Sequence, residues 1–523
     1  MSSFDYIIIG AGSAGCVLAN RLSANSAHKV LLLEAGGSDW NPFIHMPAGL
    51  SRLVRHVGLN WNYHTTPQPQ LNQRRLFWPR GKVLGGSSSI NAMCYIRGQA
   101  EDYDHWQALG NEGWSYADVL PWFRLAEGNS RGADAYHGSD GPLGVADLRH
   151  HNPLSDCFIK AGRQCGHALN DDFNGARQAG FGLYQVTQRD GRRCSTATAY
   201  LDPVRERSNL QIAIRAQVSR VLVSAQRAVA VEYLQGGRQQ RAEGGQILLC
   251  GGAINSPQTL LLSGIGPADQ LRELGIAVNH DLPGVGQNLQ DHLDVCVLRS
   301  STQAITYDQA NEMAIGLNYW ARHNGIGSSN IAEAGAFIAS RDSDDLRPDV
   351  QLHFVPAQLD DHGRNRLPGH GYTIHACYLR PHSRGSIRLA DTRPDTAPLI
   401  DPAYLSDPRD WTMMREAVRI AREVHAAPAF DDYRGKEIFP GADARDDDTI
   451  NAFIRAKAET IYHPVGTCKM GQDAMAVVDA QLQVHGIDGL RVVDASIMPT
   501  LVSGNTNAPT VMIAEKIASA MLS

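Results

Sequence analysis

The chain has 523 residues, with 48 Lys+Arg against 54 Asp+Glu and hence a formal charge of −6; 43% of its residues are hydrophobic and 20% charged. That length and composition suit two to four domains around a sizeable core, and they exclude disorder, collagen or coiled coil as the main theme. A mildly acidic balance without a long Lys/Arg run argues against a nucleic-acid partner.

In chain order, Phe4-Asp5-Tyr6-Ile7-Ile8-Ile9 predicts a buried parallel strand. Gly10-x-Gly12-x-x-Gly15 follows at once, residues 16–23 have helical spacing, and Val30-Leu31-Leu32-Leu33 ends on Glu34. This is a βαβ unit. Its first glycine allows the turn, its second lets a pyrophosphate approach, and its third lets helix and strand pack. The helix N-terminus offers N–H groups to phosphates, and Glu34, 19 positions after Gly15, offers a carboxylate to ribose hydroxyls. The motif alone does not separate FAD from NAD. A Walker-type phosphate loop is excluded, since no Lys-Ser/Thr pair follows Gly15.

Residues 36–80, rich in Pro, Asn and aromatics, read as a long excursion or lid, and residues 300–347 as a second segment shaping the pocket. Gly81-Lys82-Val83-Leu84-Gly85-Gly86-Ser87-Ser88-Ser89-Ile90-Asn91 is a Gly/Ser loop that a flat ring or a phosphate can touch. Residues 218–223 and 228–234 predict strands, with a hairpin turn at Gly236-Gly237. Residues 246–250 predict a buried strand running into Gly251-Gly252, with a helix expected to start at Ser256 or Pro257. A further buried strand is expected at residues 490–494 and a last helix at 509–521.

Nine cysteines, an odd number with no C-x-x-C pair, point to reduced thiols rather than disulfides or structural zinc. His362, His370 and His375 lack ligand spacing, so no metal is expected. No apolar run approaches the roughly 18 residues of a membrane span, and the N-terminus reads as strand and turn rather than signal peptide. A cytoplasmic protein is expected, with peripheral contact at the inner membrane face left open.

Residues 81–98 and 252–266, the block His463-Pro464-Val465-Gly466-Thr467-Cys468, and the blocks Val493-Asp494-Ala495-Ser496 and Ser503-Gly504-Asn505-Thr506-Asn507 together resemble the glucose–methanol–choline (GMC) oxidoreductases, choline dehydrogenase-like and FAD-dependent. The resemblance runs from residue 5 to residue 516. It implies an α/β (α+β) fold in which a Rossmann-like FAD-binding domain of the glutathione reductase type (residues 1–150, 205–295 and 485–523) is interleaved with a substrate-binding domain carrying a mixed or antiparallel sheet (151–204 and 296–484).

By position, the resemblance puts Gly10, Gly12, Gly15 and Glu34 on the ADP half of FAD, and Gly85, Gly86, Ser87, Asn91 and Ala92 along the pyrophosphate and isoalloxazine. Val218 would meet the adenine, and Asp494 and Ala495 the ribityl region. Relatives that tether the flavin do so through a His, where this chain has Ile90, so non-covalent FAD is implied. His463 is implied as catalytic base and the Asn507 amide as a hydrogen-bond donor to the substrate oxygen, with an N-cap of the last helix as its other reading; Tyr462, His353 and Glu333 are implied on the substrate side. The implied reaction oxidises a primary alcohol to its aldehyde by hydride transfer to flavin N5, with electrons passed to a quinone or other non-nicotinamide acceptor. An oxidase using O2, a hydroxynitrile lyase-like enzyme and a flavoprotein without catalysis are the alternatives. Alcohol, acceptor and oligomeric state stay open.

Overall fold

The computed structural model describes residues 3–341 and 347–522; residues 342–346 of the expected second pocket segment lie outside it. The apolar run at the start forms the strand Ser3–Ile9, the three glycines turn the chain into the helix Ser13–Leu22, and Val30–Glu34 returns as a parallel neighbour. Both strands are buried on two faces at their C-terminal ends, which is why their sequences are continuously apolar.

The first sheet runs, by neighbours, Leu210–Ile214, Val30–Glu34, Ser3–Ile9, Arg238–Leu249, Arg227–Gln235 and Ala216–Ser224. The first four are parallel, and Leu490–Val492 adds a parallel strand against residues 247–249. The last three of the path form an antiparallel meander. Gly236 and Gly237, both at positive φ, make its expected tight turn.

Two expectations about element ends are corrected. The strand expected at 246–250 begins earlier, at Arg238, because its charged first half pairs with Arg227–Gln235 before the apolar half enters the parallel core. The helix expected from Ser256 or Pro257 spans Gly252–Leu262 with Pro257 inside it. Proline has no N–H for the carbonyl four residues back. That carbonyl, Ala253 O, instead accepts the Thr467 hydroxyl at 2.6 Å, which makes the proline tolerable.

The second sheet is antiparallel, in the order Gly180–Leu183, Ala334–Ile338, Val350–Val355, Gly371–Tyr378, Leu293–Ser301 and Arg434–Phe439; Glu459–Thr460 pairs with the start of Leu293–Ser301. The helices Pro153–Gln164 and Pro408–Ala426 bury apolar faces in this sheet's core. A separate core joins the first sheet to the helices Ser13–Leu22 and Asn507–Leu522, which are clamped by the Arg21–Glu515 ion pair at 2.7 Å. The α/β class with a second, antiparallel sheet is the one expected. All nine cysteines are free, and among the described residues no helix is long and apolar enough to cross a membrane.

Candidate active site

One cavity of about 1580 Å³ runs from the C-terminal ends of the parallel strands to the face of the antiparallel sheet. Ligand pockets for small molecules span about 300–1,000 Å³, so this one has room for a dinucleotide and a substrate together. Gly10, Gly12 and Glu34 line its first-sheet end, with Gly86, Ser87, Asn91, Ala92, Val218, Asp494 and Ala495 along its length. Gly15 and Gly85 stand just behind the wall. A Cβ on Gly15 would lie 1.9 Å from Gly10 O, so only glycine lets this helix meet its strand so closely. A Cβ on Gly86 would reach Gly12 Cα at 2.7 Å, which keeps the floor between the two loops free of side chains. Gly85 donates its N–H to Ala11 O at 2.7 Å and so ties the Gly/Ser loop to the first turn.

Glu34 is held in place by backbone. Its Oε2 accepts from Ala11 N at 2.8 Å and its Oε1 from Gly36 N at 2.7 Å. Burial pushes this carboxyl up to about 7 despite the two N–H groups that favour its charged form. Asp494, also buried, accepts from Gly252 N at 2.8 Å and from the Ser256 hydroxyl at 2.6 Å, which joins the junctions that follow two adjacent parallel strands.

At the other end stands His463, 5% exposed and on the cavity wall. Its backbone N–H donates to Asp291 Oδ1 at 2.8 Å, its Nδ1 lies 3.0 Å from His292 Nδ1, and its Nε2 lies 3.1 Å from Asn505 Nδ2. Asp291 also takes the Thr460 and Tyr404 hydroxyls, so the loop ahead of Pro464 is fixed from several directions. Burial first, then His292, His353 and Arg80, hold the His463 imidazole well below its ordinary range. It is therefore a neutral ring at neutral pH, with Nε2 beside the Asn505 amide.

Asn507 does not reach His463. Its Oδ1 accepts the Ser13 hydroxyl at 2.7 Å, which places it at the meeting point of the two helix N-termini, Ser13–Leu22 and Asn507–Leu522. The amide beside the base belongs to Asn505, two positions earlier in the same motif. Tyr462 lines the cavity at φ 74°, a left-handed conformation rare for a bulky residue; Arg80 holds its carbonyl at 2.8 Å and His362 Nδ1 takes its hydroxyl at 2.5 Å.

His353 is buried on the wall, and neither ring nitrogen has a partner among the described residues. Glu333 does not reach the wall. It is fully buried and accepts from Asn152 N, Ser155 Oγ, Ser329 Oγ and Tyr307 Oη at 2.6–2.7 Å, which occupies its carboxylate. A carboxylate so saturated has no acceptor left for a substrate cation. His362 and His375 face the cavity, paired with Glu459 and Asp294, while His370 bonds Thr306 at 2.9 Å.

The sequence reading missed Asn505, His292 and Asp291. Asn505 was inside a quoted motif, but two asparagines in one short block give no sign of which faces the base. His292 lies 171 positions before His463, and no local spacing connects them.

The GMC oxidoreductase family model matches this chain twice, its N-terminal part over residues 4–294 and its C-terminal part over residues 381–514. A Pseudomonas putida protein named alcohol dehydrogenase (acceptor) is 51% identical over 524 residues, covering 98% of this chain and 95% of its own. The mitochondrial choline dehydrogenase of Mus musculus is 49% identical over 531 residues, covering 98% and 89%. Among solved structures, pyridoxine 4-oxidase from Mesorbium loti superposes with a TM-score of 0.91 at 32% identity, covering 99% of each chain.

Proposed function

The chain belongs to the GMC oxidoreductase family, and from that footing we propose that it oxidises an uncharged primary alcohol to its aldehyde, with His463 as base and Asn505 as the donor to the substrate oxygen. The observation that carries this reading is the buried His463 imidazole, neutral and open to the cavity, with the Asn505 amide converging on the same Nε2.

The cofactor of the family is FAD, and the residues present fit it. The side-chain-free floor at Gly12 and Gly86, the backbone-anchored Glu34 and the helix N-terminus at Ser13 would hold its ADP half, with Gly10, Gly15 and Gly85 shaping that cradle. Ser87, Asn91, Ala92, Val218, Asp494 and Ala495 would hold the rest. Bound FAD supplies a two-electron acceptor for the hydrogen leaving the alcohol carbon. Ile90 is a hydrocarbon without a nucleophile, so the flavin is held by non-covalent contacts at that position.

The chain's own part is proton handling and orientation. An alcohol hydroxyl that displaces the 3.1 Å contact between Asn505 and His463 would donate its proton to Nε2 and accept from the Asn505 amide, whose N–H would stabilise the negative charge developing on oxygen. His353, with both nitrogens unpartnered, and Tyr462 would position the rest of the substrate. The occupied carboxylate of Glu333 favours an uncharged alcohol over one carrying an ammonium.

We assign the first sheet to a cofactor unit (1–150, 205–292 and 485–523) and the second to a substrate unit (151–204 and 293–484). The later boundary belongs at Leu293, because the strand Leu293–Ser301 lies wholly in the second sheet.

Glu34→Ala removes the ribose acceptor and leaves the Ala11 and Gly36 N–H groups unpaired. A hydrogen bond to a charged group is worth about 1.5–3 kcal/mol, so FAD affinity should fall about 10- to 100-fold. Titration of the apoprotein by flavin fluorescence measures it; an unchanged affinity would remove Glu34 from the site. The electron acceptor is a quinone or another non-nicotinamide carrier, a reading supported by the name of the P. putida relative. Aldehyde formation should require a soluble quinone analogue and ignore NAD. Turnover sustained by O2 alone at the same rate would instead make the protein an oxidase.

A further inference from the structure

We propose that His292 is a positioning residue that locks His463 in the tautomer whose bare nitrogen, Nε2, faces the substrate cavity. The proposal rests on His463 being the base. It concerns a different question, namely what keeps the reactive nitrogen free of a proton before the alcohol arrives.

A neutral imidazole carries one N–H and one lone pair, and its hydrogen-bond partners decide which nitrogen has which. His292 is fully buried, and its Nε2 lies 2.9 Å from Leu379 O. A carbonyl oxygen can only accept, so His292 Nε2 carries the hydrogen. Its Nδ1 is then an acceptor, and His463 Nδ1, 3.0 Å away, must be the donor. The remaining nitrogen of His463, Nε2, is left with its lone pair.

The other end of the chain gives the same answer independently. Asn505 Oδ1 lies 3.2 Å from Gln351 Nε2, and an amide nitrogen can only donate. The Asn505 carboxamide is thereby oriented with Nδ2 toward His463, and it donates to Nε2 at 3.1 Å. Gln351 is set in turn by the Tyr184 hydroxyl at 3.1 Å, which lies 3.2 Å from Leu352 O. Two backbone carbonyls, Leu379 O and Leu352 O, thus terminate a chain with one consistent set of donors and acceptors. Both lie on or beside strands of the antiparallel sheet, a rigid frame for such a setting.

Without His292 the His463 Nδ1–H loses its acceptor, and only the Asn505 donor then opposes movement of the hydrogen to Nε2. That tautomer presents an N–H to the alcohol and cannot take its proton. The same logic makes the orienting partner of a catalytic histidine matter although it never touches substrate.

The test uses the FAD-loaded enzyme with His292→Phe and His292→Gln. Phenylalanine fills the space without an acceptor; glutamine offers an oxygen to His463 Nδ1–H and an N–H to Leu379 O. Flavin reduction by a substrate alcohol should slow about 100-fold in His292→Phe with KM little changed, and return to within about tenfold of wild type in His292→Gln. In wild-type protein labelled with 15N-histidine, the Nε2 resonance that disappears in His463→Ala should be of the unprotonated type, and in His292→Phe it should move toward the protonated type. A protonated Nε2 in wild type, an undiminished rate in His292→Phe, or equal losses in both variants would overturn the proposal. Should His463→Ala itself keep the wild-type rate, the base assignment fails first, and the NMR tautomer still reports on His292 by itself.

Discussion

Replacing His463 with alanine should leave a yellow, FAD-loaded protein whose flavin is reduced by alcohol about 10³-fold more slowly, since a positioned base contributes about 10²–10⁴. The flavin should stay because His463 is not among the residues proposed to hold it, and the cradle for its ADP half around Gly12, Glu34 and Gly86 is untouched. The wild-type pH profile carries the same signature. Burial and the neighbours His292, His353 and Arg80 favour the neutral imidazole. A depressed pKa means the base is retained as pH falls through 6.5, and is lost only in a lower window. The reduction rate should therefore hold its value from about pH 7.5 to about pH 6, where an ordinary histidine would already be about three-quarters protonated. Stopped-flow reduction across that range, for wild type and His463→Ala, measures both. A rate that halves near pH 6.5 would mean that the ring is not buried in the loaded enzyme.

The second large effect separates two asparagines. Asn505→Ala should slow flavin reduction about 10²- to 10³-fold, the cost of losing one donor to a developing oxyanion. Asn507→Ala should instead be felt as weaker flavin retention, because its partner is the Ser13 hydroxyl at the helix N-terminus of the cofactor end. Single-turnover rates and flavin dissociation, measured on both variants, distinguish the two positions. The reverse pattern would return the role to Asn507 and mean that the Asn505–His463 contact at 3.1 Å is not the productive one.

That pair shows where sequence legibility ends. The βαβ unit could be read because each of its requirements leaves a mark: no side chain at Gly15, continuous apolarity at 7–9 and 30–33, an acid at 34. The last helix and the 228–234 strand announce themselves by apolar spacing. The antiparallel sheet does not. Val350–Val355 and Gly371–Tyr378 are buried nearly throughout, so they lack the alternation that marks a half-exposed strand. The start of Gly252–Leu262 was misplaced because the signal that permits Pro257 inside a helix, the Thr467 hydroxyl, arrives from 210 positions away. At the site, His463 was found through its motif. His292, Gln351 and Asn505 left no local mark, because their hydrogen-bond chain links a strand and loops that are far apart in sequence. Glu333 makes the same point: a carboxylate in a suggestive motif is consumed by four donors, two of them 178 and 181 positions away, and does not line the pocket.

In the proposed reaction an alcohol reduces the flavin held in this cavity. Anaerobic mixing of the purified protein with straight-chain alkanols, benzylic alcohols, choline and sugars tests it most directly, with flavin absorbance as the readout. Bleaching should be rapid with an uncharged primary alcohol and slower with choline. A flavin that dithionite bleaches but no alcohol does would contradict it.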